Sequence, residues 1–356
     1  MANYALGALV NGQTIVTKKY NEAEQRRQMP TVMDLALKNQ HISIPDAQAL
    51  RVSPLRTVDV IYNKNIAQGS ATAKAYNHTG TIGDSGKINV TYQQTVETFS
   101  LPRKIAYNNI EKYTQMFANQ YEMAWKNLKT RQDVLALAYL YAQRNQLSQA
   151  VMAARLASAF GASATNWNET NYALELSAAD QSLFIAQVKA ALYASYYSTE
   201  YDIVADVQTS LQIENYMNQG AGNFSNTQWQ FAGCNFARTQ MNIDSNYTAG
   251  TVLAMPAGAF AGLCWNEGLN VKGDFQDEGG SIGILTTAND PFGGQAVADI
   301  SMYSQRADTS ADTTGGSTED IVDQWELTLT MGYILPPLSL SGDSTLMEIS
   351  KIGGVS

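Results

Sequence analysis

At 356 residues with 45% hydrophobic content, the chain has ample material for a core and exceeds the size at which single cores stop growing, so two lobes are expected. Charged residues make up 15%, against about 25% in a typical soluble domain, and the net charge of -9 argues against a protein that grips phosphate backbones tightly and non-specifically. From residue 220 onward 4 Lys+Arg face 15 Asp+Glu, leaving 19 against 17 in residues 1–219, which reads either as two solvated lobes of different composition or as complementary faces meeting between subunits.

Residues 1–50 read as an arm. Residues 21–28 are helical in composition but have almost no apolar face, Pro30 interrupts them, and residues 31–37 start a short amphipathic piece. A segment with so little to bury leans on another surface or stays mobile. Residues 51–105 alternate: Val58, Val60 and Tyr62 point one way, Thr57, Asp59 and Ile61 the other, and Ile88, Val90, Tyr92 and Gln94 repeat the pattern. Period-two alternation predicts strands with one polar face. Between them residues 68–86 are glycine-rich and polar, a flexible tip. Two strands alone are marginal in water, so a long hairpin of this kind is expected to lie on a neighbour.

Residues 108–146 carry apolar side chains at helical spacing, from Ile110, Tyr113, Phe117 and Tyr121 to Leu135, Ala138 and Ala142. Asn108 followed by Glu111 resembles a capping box, and residues 130–133 resemble a second cap where the helix would kink or break. Further on, the pattern predicts helices over 148–160, 177–197 and 209–218, a polar loop over 161–171, and a strand over 201–207. From residue 223 the texture turns to β. Strands are expected over 229–236 (distorted at Gly233), 251–255, 259–265 and 324–334. Pro256 and Gly258 suggest a type I turn, and residues 306–320 read as a mobile acidic stretch.

Chemistry-bearing constellations are missing. His41 lies in the arm and His78 in the glycine-rich tip, neither in a pattern that would orient it against a nucleophile. Residues 83–88 contain Gly86-Lys87 but neither the hydroxyl residue nor the following helix of a phosphate-binding loop, and residues 279–283 lack the strand-to-helix setting of a dinucleotide fingerprint. Asp274, Asp277 and Glu278 lack the alternating spacing of a calcium loop. Cys234 and Cys264 form neither a disulfide framework nor a zinc pattern; buried thiols or a single bridge within or between subunits are the readings they leave. No catalytic, cofactor or metal residue is expected. The first residues lack a charged-then-apolar leader, and no apolar run reaches about 18 residues, so neither a secretory signal nor a membrane span is expected.

The order of parts (arm, long hairpin, very long helix, second helix, strand and helix, β-rich lobe, closing strand) resembles the major capsid protein of tailed bacteriophages, with its Hong Kong 97-like fold. The cues are residues 201–207 with the helix to Gly220, residues 229–236 with 251–261, and residues 324–334. The resemblance implies an α+β fold with an N-terminal arm (1–50), an extended loop or β-hairpin (51–105), a peripheral domain with a long spine helix (106–200), an axial β-rich domain (201–320), and a return strand with the C-terminal tail (321–356). It implies a virion protein with no enzymatic activity, made in the host bacterial cytoplasm. That protein would self-assemble into hexamers and pentamers of an icosahedral shell around double-stranded DNA. Portal, scaffolding and decoration proteins are the partners implied, with packaged DNA contacted weakly and no membrane. Some members crosslink a lysine of the extended loop to a neighbour's asparagine; Lys64, Lys74 and Lys87 lie in the equivalent segment, without an identifiable glutamate and asparagine. An encapsulin-like cellular shell, a phage tail or baseplate protein, and a carbohydrate-active enzyme are the alternatives.

Overall fold

The computed structural model describes residues 3–22, 31–39, 57–63, 85–160, 166–176, 184–196, 200–219, 233–266, 282–308, 319–336, 344 and 346–351. Within them the chain is a mixture of helices and sheets built around two large cores.

The first core forms around the long helix. Strand β1 (Thr57–Asn63) pairs antiparallel with β2 (Ser85–Thr91) in a two-stranded ribbon. After the single residue Tyr92 the chain continues as β3 (Gln93–Pro102), which leaves the ribbon and joins a different sheet. Pro102 ends the strand and leads directly into the short helix α3 (Arg103–Asn108) and then α4 (Ile110–Ala142). At 33 residues α4 is about 50 Å long. Its apolar spacing buries Tyr113, Phe117, Tyr121, Ala124, Trp125, Leu128, Ala136, Leu137 and Leu140. Two expectations need correction here. The cap is Asn109, not Asn108: its side chain accepts from the Lys112 amide at 3.0 Å. The helix also runs unbroken through residues 130–133, because Gln132 and Asp133 are buried and bonded to other elements rather than to their own backbone.

The sheet beneath α4 runs β10 (Ile282–Asn289), β11 (Val297–Asp308), β12 (Glu319–Ile334), β3, all antiparallel. Strand β9 (Ala261–Trp265) continues beyond β11 along β12, pairing with residues Thr330–Ile334. Phe99, Leu101, Ile300, Met302, Trp325, Leu327 and Leu329 face the helices. The ribbon's apolar side, Val60 and Val90, covers Ala261, Leu263 and Ile334 at the end of this sheet.

Helix α1 (Asn3–Glu22) packs along α4, turning Ala5, Ala8, Leu9 and Val16 inward. Gly12 permits the close approach: a Cβ there would overlap the Phe117 ring. The composition of the arm gives no sign of this helix; residues 23–28, most of the stretch 21–28 read as helical, lie outside the described residues. Helix α2 (Val32–Lys38) follows a reciprocal capping box of Thr31 and Asp34 and buries Val32, Met33, Leu35, Ala36 and Leu37.

The second core lies under a six-stranded sheet of order β4 (Trp167–Asn168), β5 (Ala173–Leu176), β13 (Met347–Lys351), β8 (Thr251–Pro256), β6 (Tyr201–Ala205), β7 (Cys234–Arg238). Helices α5 (Gln149–Phe160), α6 (Phe184–Tyr196) and α7 (Val207–Gln219) supply Met152, Leu156, Val188, Leu192 and Ile213 to it. The loop expected at 161–171 contains β4, and β10, β11 and β13 were not foreseen. Of the strand expected at 229–236, residues 229–232 lie outside the described residues, and 234–236 belong to β7, which follows Gly233 at φ +74. Residues 306–308 and 319–320 belong to strands, while 309–318 lie outside the described residues. The turn after β8 is also corrected. Ala259 N–H donates to Pro256 O at 3.1 Å and Gly258 has φ +79. That places glycine third in a type II turn, a conformation its missing Cβ allows.

Candidate assembly surfaces

Four buried or half-buried polar groups, Asp323, Gln132, Lys129 and Asp133, hold the strand-to-helix element in place. At the corner, Asp323 on β12 is fully buried. It accepts from Arg103 Nε at 3.1 Å and Nη2 at 2.7 Å, from Tyr113 Oη at 2.9 Å and from Ser304 Oγ at 2.7 Å. One carboxylate therefore ties α3, α4, β11 and β12 together. Charge-assisted bonds of this kind are the stronger class, and the buried aspartate leaves no donor-rich alternative such as water.

Midway along α4, Gln132 Nε2 donates to Leu329 O and Thr95 Oγ1, each at 3.0 Å, and Tyr333 Oη donates to Gln132 Oε1 at 3.1 Å. Lys129 Nζ lies 2.8 Å from Asp290 Oδ2 and 3.2 Å from Asp34, and 5.7 Å from the Phe292 ring centre, so it joins α4 to α2 and to the β10–β11 turn. Burial acts against its charge, but the two carboxylates hold its pKa above the usual lysine value. Asp133 Oδ1 accepts the Met33 amide at 3.3 Å, so the long helix helps cap α2. Burial pushes this carboxyl up to about 6 against the opposing backbone bonds. None of these residues was singled out from the sequence as a fastener. The available signal was a run of polar residues, 129–133, inside an otherwise apolar helical stripe.

Outside these joints, apolar side chains remain exposed on several elements. Ile61 on β1 is 72% exposed, on a ribbon face shared with Asp59, Lys87 and Asn89. Lys87 pairs with Asp59, and Asn89 Nδ2 donates to Asp59 Oδ1 at 3.3 Å. Leu6 and Val10 are a turn apart on α1, facing away from α4, and Val207 and Leu211 are a turn apart on α7. Met123 is exposed on α4. Single exposed apolar residues are ordinary; pairs at helical spacing on separate elements describe surfaces suited to contact with another chain.

The residues weighed for chemistry fall as follows. His41, His78, Lys64, Lys74, Asp274, Asp277 and Glu278 lie outside the described residues. Gly86 and Lys87 sit inside β2, with no helix N-terminus after them. Cys234 and Cys264 lie on strands of different sheets, neither in a disulfide, with Cys264 fully buried. Burial pushes the Cys234 thiol up. Among the described residues no three His, Cys, Asp or Glu side chains are placed to hold a metal ion, and no helix is long and apolar enough to cross a membrane.

No protein-family profile matches the chain, and no curated protein matches it. Solved structures do. A Mycobacterium phage Che8 structure is 10% identical, covers 90% of this chain and 92% of its own, and has a TM-score of 0.46. The capsid of Ralstonia phage GP4 is 11% identical over 85% of each chain at a TM-score of 0.41. The capsid of a native GTA particle is 11% identical over 87% of this chain and 91% of its own at 0.42. The chain is thus similar, over most of its length, to phage and GTA capsid structures.

Proposed function

We propose that this chain is a structural subunit of a phage-type capsid shell with a Hong Kong 97-like fold. It assembles with copies of itself into hexamers and pentamers and encloses double-stranded DNA. The observation that carries this reading is the continuous course from ribbon to strand to long helix: one residue separates β2 from β3, and none separates β3 from α3. An element so long, clamped at its corner by Asp323 and at its middle by Gln132, transmits force between subunits rather than shaping a pocket. The order of elements along the chain supports the same reading.

In this account α4 is the spine of the peripheral domain, residues 51–105 form the extended loop, and residues 201–320 supply most of the axial domain, which 167–176 and 347–351 enter through the six-stranded sheet. The arm's reach toward a neighbour begins on the outward side of α1, at Leu6 and Val10. The low charge content suits a surface covered by other copies, and the modest net charge of residues 1–219 suits weak contact with packed DNA. A portal, a scaffolding protein and a decoration protein are further partners of such a shell.

Electron microscopy of the purified full chain tests the proposal. Closed icosahedral particles are expected, with nuclease-protected DNA when they are recovered from infected cells. Closed particles holding a co-purifying enzyme and no DNA would indicate a cellular compartment. Tubes or baseplate-like rings would indicate a tail component, and a monodisperse monomer with catalytic turnover would overturn the shell reading.

A further inference from the structure

The helix layer and the sheet beneath it carry charge of different sign on their outer sides. On α1, α3 and α4 the exposed charged side chains among the described residues are Lys18, Lys19, Lys104, Lys112, Lys126 and Arg131, against one acid, Glu111. In the sheet, positions that face away from the helices alternate with those that face them. On β3, β11 and β12 these outward positions carry Gln94, Thr98, Ser100, Tyr303, Gln324 and Glu326. Among the described side chains no lysine or arginine stands on that side, and its one exposed charge is Glu326.

The cations of the helix layer form a surface rather than scattered points. Lys112, Gln115, Asn119 and Lys126 recur at three-, four- and seven-residue spacing, so they line one solvent face of α4, and the two lysines stand about 21 Å apart along its axis. Helix α1 joins that face at Glu122, whose side chain is 10% exposed and lies 2.6 Å from Lys126 Nζ and 2.8 Å from Lys19 Nζ. Two ammonium groups share this one carboxylate, which leaves the joint with positive charge in excess. On the other flank Arg131 Nη1 lies 2.8 Å from Glu97 Oε1. The side chains of Lys19, Lys126 and Arg131 stay 60%, 46% and 60% exposed, so these pairs are of the weak surface kind and yield to a denser anion.

Exposed amines interleaved with amides along a convex helix suit an extended anion better than a small one. Lysine, asparagine and glutamine are donors to phosphate oxygens, and such contacts hold a duplex without reading its bases. The net charge of -9 does not cancel the effect, because charges more than about 8 Å away are largely screened at physiological salt, and the sign of the nearest surface decides. We propose that in the capsid shell the solvent side of α1 and α4 is the inner surface, where Lys18, Lys19, Lys112 and Lys126 meet the phosphate backbone of packed duplex DNA, and that the outward side of the sheet faces away from the DNA. This rests on the capsid reading and adds to it which side of the subunit meets the DNA. The contact is weak, independent of base sequence and sensitive to salt.

Two measurements test it. The first is fluorescence anisotropy of a short mixed-sequence DNA duplex with the unassembled full chain, between about 50 and about 200 mM salt. Each phosphate contact adds about 0.9 to the slope of log affinity against log salt, so Lys112→Gln combined with Lys126→Gln should flatten that slope by about 2. Both lysines are exposed, so the double variant keeps its fold, and Glu326→Gln on the opposite side should leave the slope unchanged. The second uses closed, DNA-filled particles. An amine reagent too bulky to cross the shell should spare Lys112 and Lys126 there while modifying both in the unassembled chain, and formaldehyde should join these lysines to DNA. A parent that does not bind the duplex, a double variant with the parent's slope, or lysines modified from outside closed particles would overturn the proposal. Crosslinks from these lysines to an acidic protein surface in place of DNA would overturn it too. If no closed particles form, the shell reading itself fails, whereas the duplex measurement decides the DNA contact separately.

Discussion

Removing the guanidinium at the strand-to-helix corner is expected to cost far more than an ordinary surface charge. Arg103 is 12% exposed at its side chain and Asp323 is 0% exposed. In Arg103→Met the aliphatic stem is largely conserved, so little packing is lost. What remains is a buried carboxylate that has lost both guanidinium bonds and keeps the Tyr113 and Ser304 hydroxyls. Breaking a buried pair by removing one partner costs about 3–5 kcal/mol, and that range applies here because solvent cannot reach the orphaned charge. Adding Asp323→Asn removes the charge, so the double variant should be more stable than the sum of the two single losses by about 1–3 kcal/mol. Urea denaturation of the unassembled subunit, followed by far-ultraviolet circular dichroism, reads both quantities. A loss in Arg103→Met below about 1 kcal/mol, or strict additivity in the double variant, would refute the idea that this carboxylate fastens four elements.

Gly12→Ala should destabilise the chain by about 1–2 kcal/mol despite the better helix former, since the new methyl overlaps a Phe117 ring held by Phe99, Tyr121 and Trp325; equal or higher thermal stability would contradict the close packing of α1 on α4. Asp133 sits at about 6 in the fold against an ordinary 3.8, so its contribution to stability falls as pH rises between those values; Asp133→Asn should flatten a change of about 3 kcal/mol in that window, and an unaltered acid-side profile in denaturation experiments would count against it. Ile61→Asp replaces a side chain that is 72% exposed, so subunit stability should change by less than about 0.5 kcal/mol while particle yield by light scattering falls; undiminished assembly would remove Ile61 from the contact surface.

The elements with clean periodicity were legible. The 3/4 spacing of Tyr113, Phe117, Tyr121 and Leu128 marks α4, and the alternation of Val60, Val90 and their neighbours marks the ribbon, because each apolar side chain there faces the nearest core. Helix α1 was hidden by its small inward residues, Ala5, Ala8 and Gly12, whose packing depends on a ring more than a hundred residues away. Strand β13 was hidden for the opposite reason. Glu348, Ser350 and Lys351 look like surface residues, yet all are buried: Glu348 lies in ion contact with Arg144, Ser350 meets Thr251, and Lys351 donates to Gln212, all from distant elements. Residues 130–133 resembled a cap because Asp133 does cap a helix, α2 rather than α4. The fasteners were illegible in general because each is a long-range pairing of ordinary polar residues.

In the proposed shell the ribbon and the long helix act as one strap that reaches a neighbouring subunit from a rigid spine. Chemical crosslinking of assembled material grown as a mixture of nitrogen-14 and nitrogen-15 chains tests this most directly, with Lys64, Lys74 and Lys87 as the reactive amines of the strap. Crosslinks from Lys64 and Lys74 are predicted to include mixed-isotope pairs at the statistical share for an equal mixture, as many as the like-isotope pairs, because they join different chains. Crosslinks from these two lysines found only as like-isotope pairs, within single chains, would contradict the strap.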